Sequence, residues 1–339
     1  MTWKFQPAAT NFENVREDWD SLNSANGNHI LLDSGFVSPL LRHFGNGNIV
    51  LARKSDAANP GMALLVRQGT GRWETFQPSQ ASLGLIVLGR RDEAGNGLLE
   101  LTRELPGYAM QLSVMQQDPD YSSFTANTNE GNLQSLNYID TARITLKGTF
   151  EEYWKARGTN LRHNLARRRR RMTEKGYSLE LVEVHTPGDV PAAIREYGLL
   201  ESKGWKASGG TAVSEDNAQG QFYREVFEHF SARGEAVIYQ LHLNGKVAAS
   251  DLCLIRDGMM VVLKTTYDEE MNEFSPALMM REEILRKAYN GGRVRVIEFY
   301  GRVMEWHTKW SEEIRTLYHI NCFRHRWVAP LKKLVGQFQ

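Results

Sequence analysis

Predominantly apolar, β-favouring residues run from Tyr239 to Tyr267, in three short segments separated by Asn244-Gly245 and Asp257-Gly258. An Asn-Gly or Asp-Gly step between β-favouring segments is the strongest short-range signal for a hairpin, because both turn residues must tolerate a positive φ. This stretch therefore predicts three consecutive antiparallel strands joined by two tight turns.

A helical pattern follows these strands. Ser275-Pro276 precedes a run with three- and four-residue apolar spacing, Ala277 to Tyr289, and Gly291-Gly292 follows it. A Ser cap, a Pro at the first helical position and Gly after the last are typical helix boundaries. Val294 to Phe299 then alternates between apolar and polar residues and predicts another strand. A ligand at the start of this helix is expected to meet free N–H groups and the positive end of the helix dipole.

A second helical pattern, Phe150 to Lys175, carries the clustered charge of the chain and contains Gly158, a weak helix former. Between Lys155 and Lys175 there are nine Lys or Arg residues and one acidic residue, Glu174. Five consecutive arginines, 167–171, sweep more than one helical turn, so some must be exposed. They are candidates to meet CoA phosphates, an acyl carrier protein or tRNA, and residues 162–171 to meet an anionic membrane surface. A solvated helix is the alternative.

The remaining pattern is a succession of helices and short strands. Predicted helices are Val15 to Leu22, Phe36 to Phe44, Leu98 to Leu105, Val190 to Lys203 and Ala218 to Arg233. Predicted strands are Asn48 to Arg53, Gly61 to Gln68, Arg72 to Phe76, Leu83 to Leu88, Tyr108 to Met115, Tyr138 to Leu146, Tyr177 to Val184 and Thr316 to Trp327. A length of 339 residues exceeds that of a usual domain, which predicts two. We expect the first to be mainly a scaffold and one wall of a cleft.

The composition, 41% hydrophobic and 24% charged, is typical of a globular protein. No run approaches the ~20 apolar residues that span a bilayer, and no secretory signal is visible, so a cytoplasmic location is expected. Lys+Arg 41 against Asp+Glu 40 gives no global argument for nucleic acid. Cys253 and Cys322 lie far apart in apolar contexts, which predicts buried thiols. No metal site is expected.

The order hairpin, hairpin, helix, strand resembles the catalytic half of the GNAT acyltransferases. Within that superfamily, the sequence most resembles the FemAB-like branch. This branch includes acetyltransferases associated with cellulose and exopolysaccharide biosynthesis. The motifs that carry the resemblance are Arg162-His-Asn-Leu-Ala-Arg-Arg168, Glu201-Ser-Lys-Gly-Trp-Lys206, Tyr267, Ser275-Pro276, Glu298-Phe-Tyr-Gly301, Trp306-His307 and Lys309-Trp310. The resemblance implies an α/β (α+β) protein of two tandem GNAT-like domains, each a mixed, mostly antiparallel sheet flanked by helices. Residues 1–147 would form the first domain. Residues 148–339 would form the catalytic one, opening with a basic helix over 150–175.

The function implied is an N-acyltransferase. It would move an acyl group from acyl-CoA or an acyl carrier protein to an amine of a cell-envelope or exopolysaccharide precursor, or to a lipid-like amine. Two alternatives stay open: a FemAB-type aminoacyl transferase using aminoacyl-tRNA, and a non-catalytic GNAT-like module in a polysaccharide-synthesis complex. Ser275-Pro276-Ala277 stands where the family has Ser-Pro-Gly, and the sequence lacks the glycine-rich pyrophosphate loop of ordinary GNAT enzymes. The donor therefore stays open among CoA, carrier protein and tRNA.

Catalysis would require a base, because an amine with a lysine-like pKa of about 10.4 arrives protonated at neutral pH. Glu298, at the end of a predicted strand, and Asp251, in an otherwise apolar strand, are the candidate catalytic carboxylates. Each could instead form a structural ion pair, Glu298 with Arg293 or Arg302. By the resemblance, Tyr267 or Tyr300 would protonate the departing thiolate; each could instead be a packed aromatic side chain.

Binding residues follow from the same motifs. Those implied for the acceptor are Glu201, Trp205, Lys206, Tyr300, His307 and Lys309; those implied for the donor are Ser275, Ala277, Arg167 and Arg168. His307 and Lys309 stand between Trp306 and Trp310, where they could bind phosphate or protonate the thiolate. A packed aromatic corner with solvated charges is the alternative.

Overall fold

The computed structural model describes residues 2–54, 56, 59–89, 94–124, 131–203 and 213–328. The chain forms two compact units, one of Met1–Asp140 with Thr316–Gln339, and one of Thr141–Arg315. We call these unit 1 and unit 2. The bounds differ from the predicted 1–147 and 148–339, because the last strand lies with the first unit.

The described residues form thirteen strands, ten α-helices and several single-turn 3-10 helices. The strands are β1 (Trp3–Pro7), β2 (Val50–Lys54), β3 (Gly61–Gly69), β4 (Arg72–Thr75), β5 (Ile86–Leu88), β6 (Gln111–Gln117), β7 (Leu133–Thr145), β8 (Leu179–Val184), β9 (Ala236–Leu243), β10 (Lys246–Arg256), β11 (Met259–Tyr267), β12 (Val296–Glu298) and β13 (Glu313–Phe323). The helices are α1 (Ala8–Asn11), α2 (Arg16–Ala25), α3 (Ser34–Phe44), α4 (Ala94–Glu104), α5 (Phe150–Ala156), α6 (Thr159–Glu174), α7 (Val190–Lys203), α8 (Ala218–Ala232), α9 (Pro276–Gly291) and α10 (Glu305–Thr308). The 3-10 helices are Glu13–Val15, Ile30–Leu32, Pro187–Asp189 and Glu269–Phe274.

Unit 1 is a mixed sheet with helices against it. β1, β2, β3 and β4 pair antiparallel in that order, β5 adds to β3, β4 runs parallel to β6, and β6 pairs antiparallel with β13. One core cluster joins inward residues of these strands, such as Leu65 and Val114, to Leu98 and Leu101 of α4. Alternate strand residues reach this core because successive side chains point to opposite faces.

Unit 2 is built on the predicted three-stranded meander. β8, β9, β10 and β11 pair antiparallel in sequence order, and the turns Asn244-Gly245 and Asp257-Gly258 have positive φ throughout, from 49° to 82°. Helix α9 then crosses back to β12, which runs parallel to β11 and pairs antiparallel with the end of β7. Met279, Met280, Ile284 and Leu285 of α9 pack on this sheet.

The mixed α/β, mostly antiparallel fold class is confirmed, but the predicted helix over 150–175 is wrong as a single element. Arg157 is extended and Gly158 takes the N-cap position of α6, so α5 and α6 are separate helices. Glycine disfavours a helix interior by about 1 kcal/mol, and α5 already has its own capping box at Thr149 and Glu152. The predicted buried thiols Cys253 and Cys322 are both buried and free. No helix in the described ranges has the length and apolar content needed to cross a bilayer.

Candidate active site

A cavity of about 370 Å³ lies in unit 2, where the end of β11 meets the start of α9 and the segment around α10. We call it the β11 cavity. Its lining residues are Thr265, Tyr267, Asn272, Ser275, Ala277, Leu278, Arg281, Trp306, Lys309 and Trp310. Six of the predicted site residues or their neighbours in the motifs are therefore brought together: Tyr267, Ser275, Ala277, Trp306, Lys309 and Trp310.

The position of the β11 cavity follows from the strand pairing. β11 and β12 are in parallel register from Met259 opposite Val296 to Val261 opposite Glu298. β12 ends there, whereas β11 continues to Tyr267. No strand of the described chain pairs with this edge of β11 beyond Val261. In α/β sheets such a divergence at the carboxyl end of a strand is a usual place for a ligand.

Beneath the cavity lies a buried ion pair. Arg281 Nη2 of α9 is 2.6 Å from Asp251 Oδ2 of β10, and both side chains are buried. Burial raises the pKa of Asp251, while Arg281 and a hydrogen bond from the Thr265 hydroxyl oppose the rise. Thr265 lines the cavity and lies directly opposite Asp251 in the pairing of β10 with β11, so it stands between Asp251 and the space where a ligand would lie.

Two residues of the cavity wall each have a buried hydrogen-bond donor without an acceptor. Arg281 Nη1 and Trp310 Nε1 have no hydrogen-bond partner among the residues that the structure describes. A buried donor without a partner costs about 1–3 kcal/mol, so an acceptor atom supplied by a ligand would be favourable here. The sequence analysis did not single out Arg281. Arg281 lies on the apolar stripe of α9, three residues after Leu278 and three before Ile284. A charged side chain at such a position needs a partner, and this pattern would have predicted a buried ion pair.

The start of α9 offers fewer N–H groups than predicted. Ser275 is at the N-cap but in the left-handed conformation, with φ 50°, and its side chain makes no capping hydrogen bond. Its carbonyl instead accepts from Leu278 and Met279 N–H, at 3.0 and 3.1 Å. Pro276 has no N–H. Ala277 N–H is therefore the amide left for a ligand among these first-turn residues.

His307 differs from its predicted role. The ring is buried, stacks on Trp306 with ring centroids 3.6 Å apart, and accepts through Nδ1 from Met304 N–H at 2.9 Å. Burial lowers its pKa to about 4, so the imidazole is neutral at pH 7 and cannot serve as a cation for phosphate. His307 is not part of the cavity wall, in contrast to its neighbour Lys309. Tyr300 is likewise buried, beneath the Arg315 guanidinium.

Glu298 is placed away from the β11 cavity. Its carboxylate is buried between Arg315, at 2.8 Å, and Arg143, at 3.4 Å. Its neighbour Ile297 belongs to the core around α9, so Glu298 points to the opposite face of the sheet. An ion pair was the alternative considered for this residue, but the partners differ from those expected: Arg293 donates to the carbonyl of Gly234.

Glu201 also lies in a buried ionic cluster. Its carboxylate is 3.0 Å from Lys264 Nζ of β11 and accepts from Val213 N–H at 2.8 Å. The Lys264 ammonium also lies 5.9 Å from the ring centroid of Tyr197 and 5.6 Å from that of Tyr223. Trp205 and Lys206, the other acceptor residues predicted in this motif, lie outside the described residues.

A second cavity of about 460 Å³ adjoins the first, since Leu278 and Lys309 line both. We call it the α6 cavity. Its lining residues are Ala156, Arg157, Gly158, Asn160, Leu161, Asn164, Leu165, Arg168, Leu278, Thr308, Lys309 and Glu312. The predicted donor residue Arg168 thus lies on its wall, and Arg167 donates to Asn164 of the same wall at 3.1 Å.

The other three arginines of the run are engaged with acids. Arg169 contacts Glu282 at 3.0 Å and Glu283, Arg170 pairs with Glu174, and Arg171 with Glu273. Among described residues, no group of three or more His, Cys, Asp or Glu side chains is arranged to hold a metal ion.

Comparison with known proteins assigns the fold. The acetyltransferase (GNAT) domain family matches residues 159–308. FemX superimposes with a TM-score of 0.57 at 11% identity, covering 94% of this chain and 98% of FemX. L-PGS from Bacillus licheniformis gives 0.54 at 13%, covering 95% and 96%. The C-terminal DUF2156 domain of a protein assigned as a lysylphosphatidylglycerol synthetase from Agrobacterium fabrum gives 0.52 at 13%, covering 90% and 94%. These likenesses show the fold alone.

A search of curated proteins found no sequence match. The family match covers α6 to α10, the region that contains the lining of the β11 cavity except Lys309 and Trp310. The chain contains an acetyltransferase (GNAT) domain at residues 159–308, the domain of the GNAT-type acyltransferases.

Proposed function

We propose that the chain transfers an acyl group from a thioester to an amine on a cell-envelope or exopolysaccharide precursor or a lipid-like molecule. The observation that carries the proposal is the β11 cavity, which opens where β12 ends and β11 continues. The open strand edge can hydrogen-bond an extended donor arm by strand addition, as peptides do on other sheet edges. The cavity's aromatic and aliphatic wall, with Trp306, Trp310 and Leu278, suits an acyl chain.

The polar groups of the cavity can meet the charge that develops in the reaction. Arg281 Nη1 and Trp310 Nε1 are buried donors in need of an acceptor. A thioester oxygen becomes an oxyanion in the transition state, and fixed donors stabilise it more than they stabilise the ground-state carbonyl. Ala277 N–H, at the start of α9, is a third candidate donor.

Proton movement can be assigned to two further lining residues. The neutral amine attacks the thioester carbon, the carbon–nitrogen bond forms and the carbon–sulfur bond breaks. In this proposal the proton lost by nitrogen passes through the Thr265 hydroxyl to Asp251, whose raised pKa makes it a stronger base than an ordinary carboxylate. The thiolate takes a proton from Tyr267. Tyr267 is 37% exposed, so solvent can restore that proton.

The first experiment is a thermal-shift screen with acetyl-CoA, longer acyl-CoAs, a phosphopantetheinylated acyl carrier protein and aminoacyl-tRNA. Compounds that bind then enter transfer assays with amine acceptors. Stabilisation by a thioester and formation of an amide support the proposal. Binding of thioesters without transfer to any amine acceptor would favour the non-catalytic module instead.

An aminoacyl-tRNA donor is the second candidate function. The observation that favours it is the pair Arg167 and Arg168, which make no ion pair in the described part of the chain and could contact phosphates. FemX and L-PGS share the fold. Stabilisation by aminoacyl-tRNA but not by any thioester would select this function.

A further inference from the structure

The first turn of α9 has too few free N–H groups to bind the phosphate of a thioester donor. Donors built on 4′-phosphopantetheine carry phosphate, and a helix N-terminus ordinarily holds phosphate through several free N–H groups. Here Pro276 has none, and the N–H groups of Leu278 and Met279 are already bonded to Ser275 O. One amide, that of Ala277, is too little to hold a phosphate. The negative charge of the donor phosphate must therefore be bound by other residues.

The wall of the α6 cavity carries three cationic side chains. Arg157, Arg168 and Lys309 line it, against one carboxylate, Glu312, whose side chain is 86% exposed. Arg157 already donates to Trp310 O at 3.0 Å, and Lys309 pairs with Glu305 at the surface. Arg168 is different, because it makes no ion pair within the described residues. Partial burial and the neighbouring Arg167 lower its pKa.

The two cavities adjoin in a way that suits one elongated ligand. Lys309 and Leu278 line both, so a ligand with its thioester beside Thr265 and Tyr267 extends past Leu278 towards Arg168. Asn160 and Asn164, on the same wall of α6, add side-chain amides that can donate to phosphate oxygens.

We propose that the α6 cavity binds the phosphate of a 4′-phosphopantetheine arm, with Arg168 as its principal anchor and Lys309 at the junction of the cavities. The arm is common to CoA and to acyl carrier proteins. This inference rests on the thioester donor proposed above and adds where its phosphate is held: on α6, rather than on a glycine-rich loop at the start of α9.

The test compares binding of pantetheine, 4′-phosphopantetheine and CoA by calorimetry, for the wild type, R168Q, R168K and R170Q. Arg170 is the matched control, since it lies on the same helix and pairs at the exposed surface with Glu174. The wild type should bind 4′-phosphopantetheine more tightly than pantetheine. R168Q should lose about ten- to a hundredfold in affinity for the phosphorylated probe and little for pantetheine. R168K should recover part of the loss, and R170Q should resemble the wild type.

Salt provides a second measure, because the phosphate-dependent increment should shrink at high ionic strength in the wild type and be small throughout in R168Q. Thermal midpoints would show that each variant is folded. If 4′-phosphopantetheine binds R168Q as well as the wild type, the α6 subsite is wrong while the donor proposal stands. If none of the three probes binds the wild type, the thioester donor and this subsite both fail. A further gain with CoA over 4′-phosphopantetheine identifies CoA as the better donor.

Discussion

Arg281 of α9 holds Asp251 of β10 at 2.6 Å, and Thr265 of β11, which lines the cavity, lies directly opposite Asp251 in the strand register. A buried charge must be paired, and this pairing leaves Asp251 one polar neighbour that also faces a ligand. In the proposed mechanism, Asp251 accepts a proton through Thr265. Substituting either Asp251 or Arg281 alone leaves the other charge buried without its partner, so the loss of stability would obscure any effect on turnover.

The pH dependence of turnover should show the protonation of Asp251. Its pKa is raised by burial, so turnover should fall with decreasing pH at a midpoint above the ordinary carboxyl value of about 3.9. The cause is protonation of Asp251, which can then accept no proton from Thr265. Steady-state rates from acid to neutral pH measure it. A profile that stays flat down to the acid limit of folding would exclude Asp251 as the base.

Glu298→Gln should act on stability more than on turnover. The change leaves Arg315 and Arg143 without their buried anion, which we expect to cost about 3 kcal/mol in the free energy of unfolding. Because Glu298 faces away from the cavity, turnover per folded molecule should stay close to the wild type. Urea unfolding and single-temperature kinetics separate the two effects. A large loss of turnover with unchanged stability would restore Glu298 as a candidate base.

Glu201→Gln should destabilise unit 2 by leaving the Lys264 ammonium without its carboxylate, at a cost of about 3 kcal/mol. The double variant E201Q/K264M should be less destabilised than E201Q, because it removes the stranded charge as well. Denaturant unfolding of both single variants and the double variant gives the coupling. Additive losses would show that the two side chains do not depend on each other.

The lowered pKa of His307 should make the free energy of unfolding decrease in mild acid. Its folded pKa is about 4, below the usual His value of about 6.5, so between these pH values the unfolded chain binds a proton that the folded chain does not. The stability that neutral His307 contributes is present above about pH 6.5 and is lost as pH falls towards 4. Urea midpoints over this range, compared with those of H307Q, isolate the contribution. Identical pH profiles for the two proteins would contradict it.

Local chemistry explains which features the sequence could predict. Asn244-Gly245 and Asp257-Gly258 dictate positive φ by themselves, so both hairpins were predicted correctly. The parallel register of β12 on β11 depends on how α9 packs, which no local pattern contains. The partners of Glu298 were missed for the same reason, since Arg143 and Arg315 are distant in sequence. Gly158 was recognised as a weakness, but whether it breaks a helix depends on the packing of α5 and α6.

The most direct test of the account is the turnover of Thr265→Val beside that of Thr265→Ser. Valine removes the hydroxyl between the cavity and Asp251 but leaves the Asp251–Arg281 pair, whereas serine keeps the hydroxyl. We expect T265V to lose about 10²- to 10⁴-fold in kcat, the range for general base catalysis, with little change in donor affinity, and T265S to retain most of the activity. Equal kcat for T265V and the wild type, on a confirmed thioester and amine pair, would contradict proton transfer through Thr265 to Asp251.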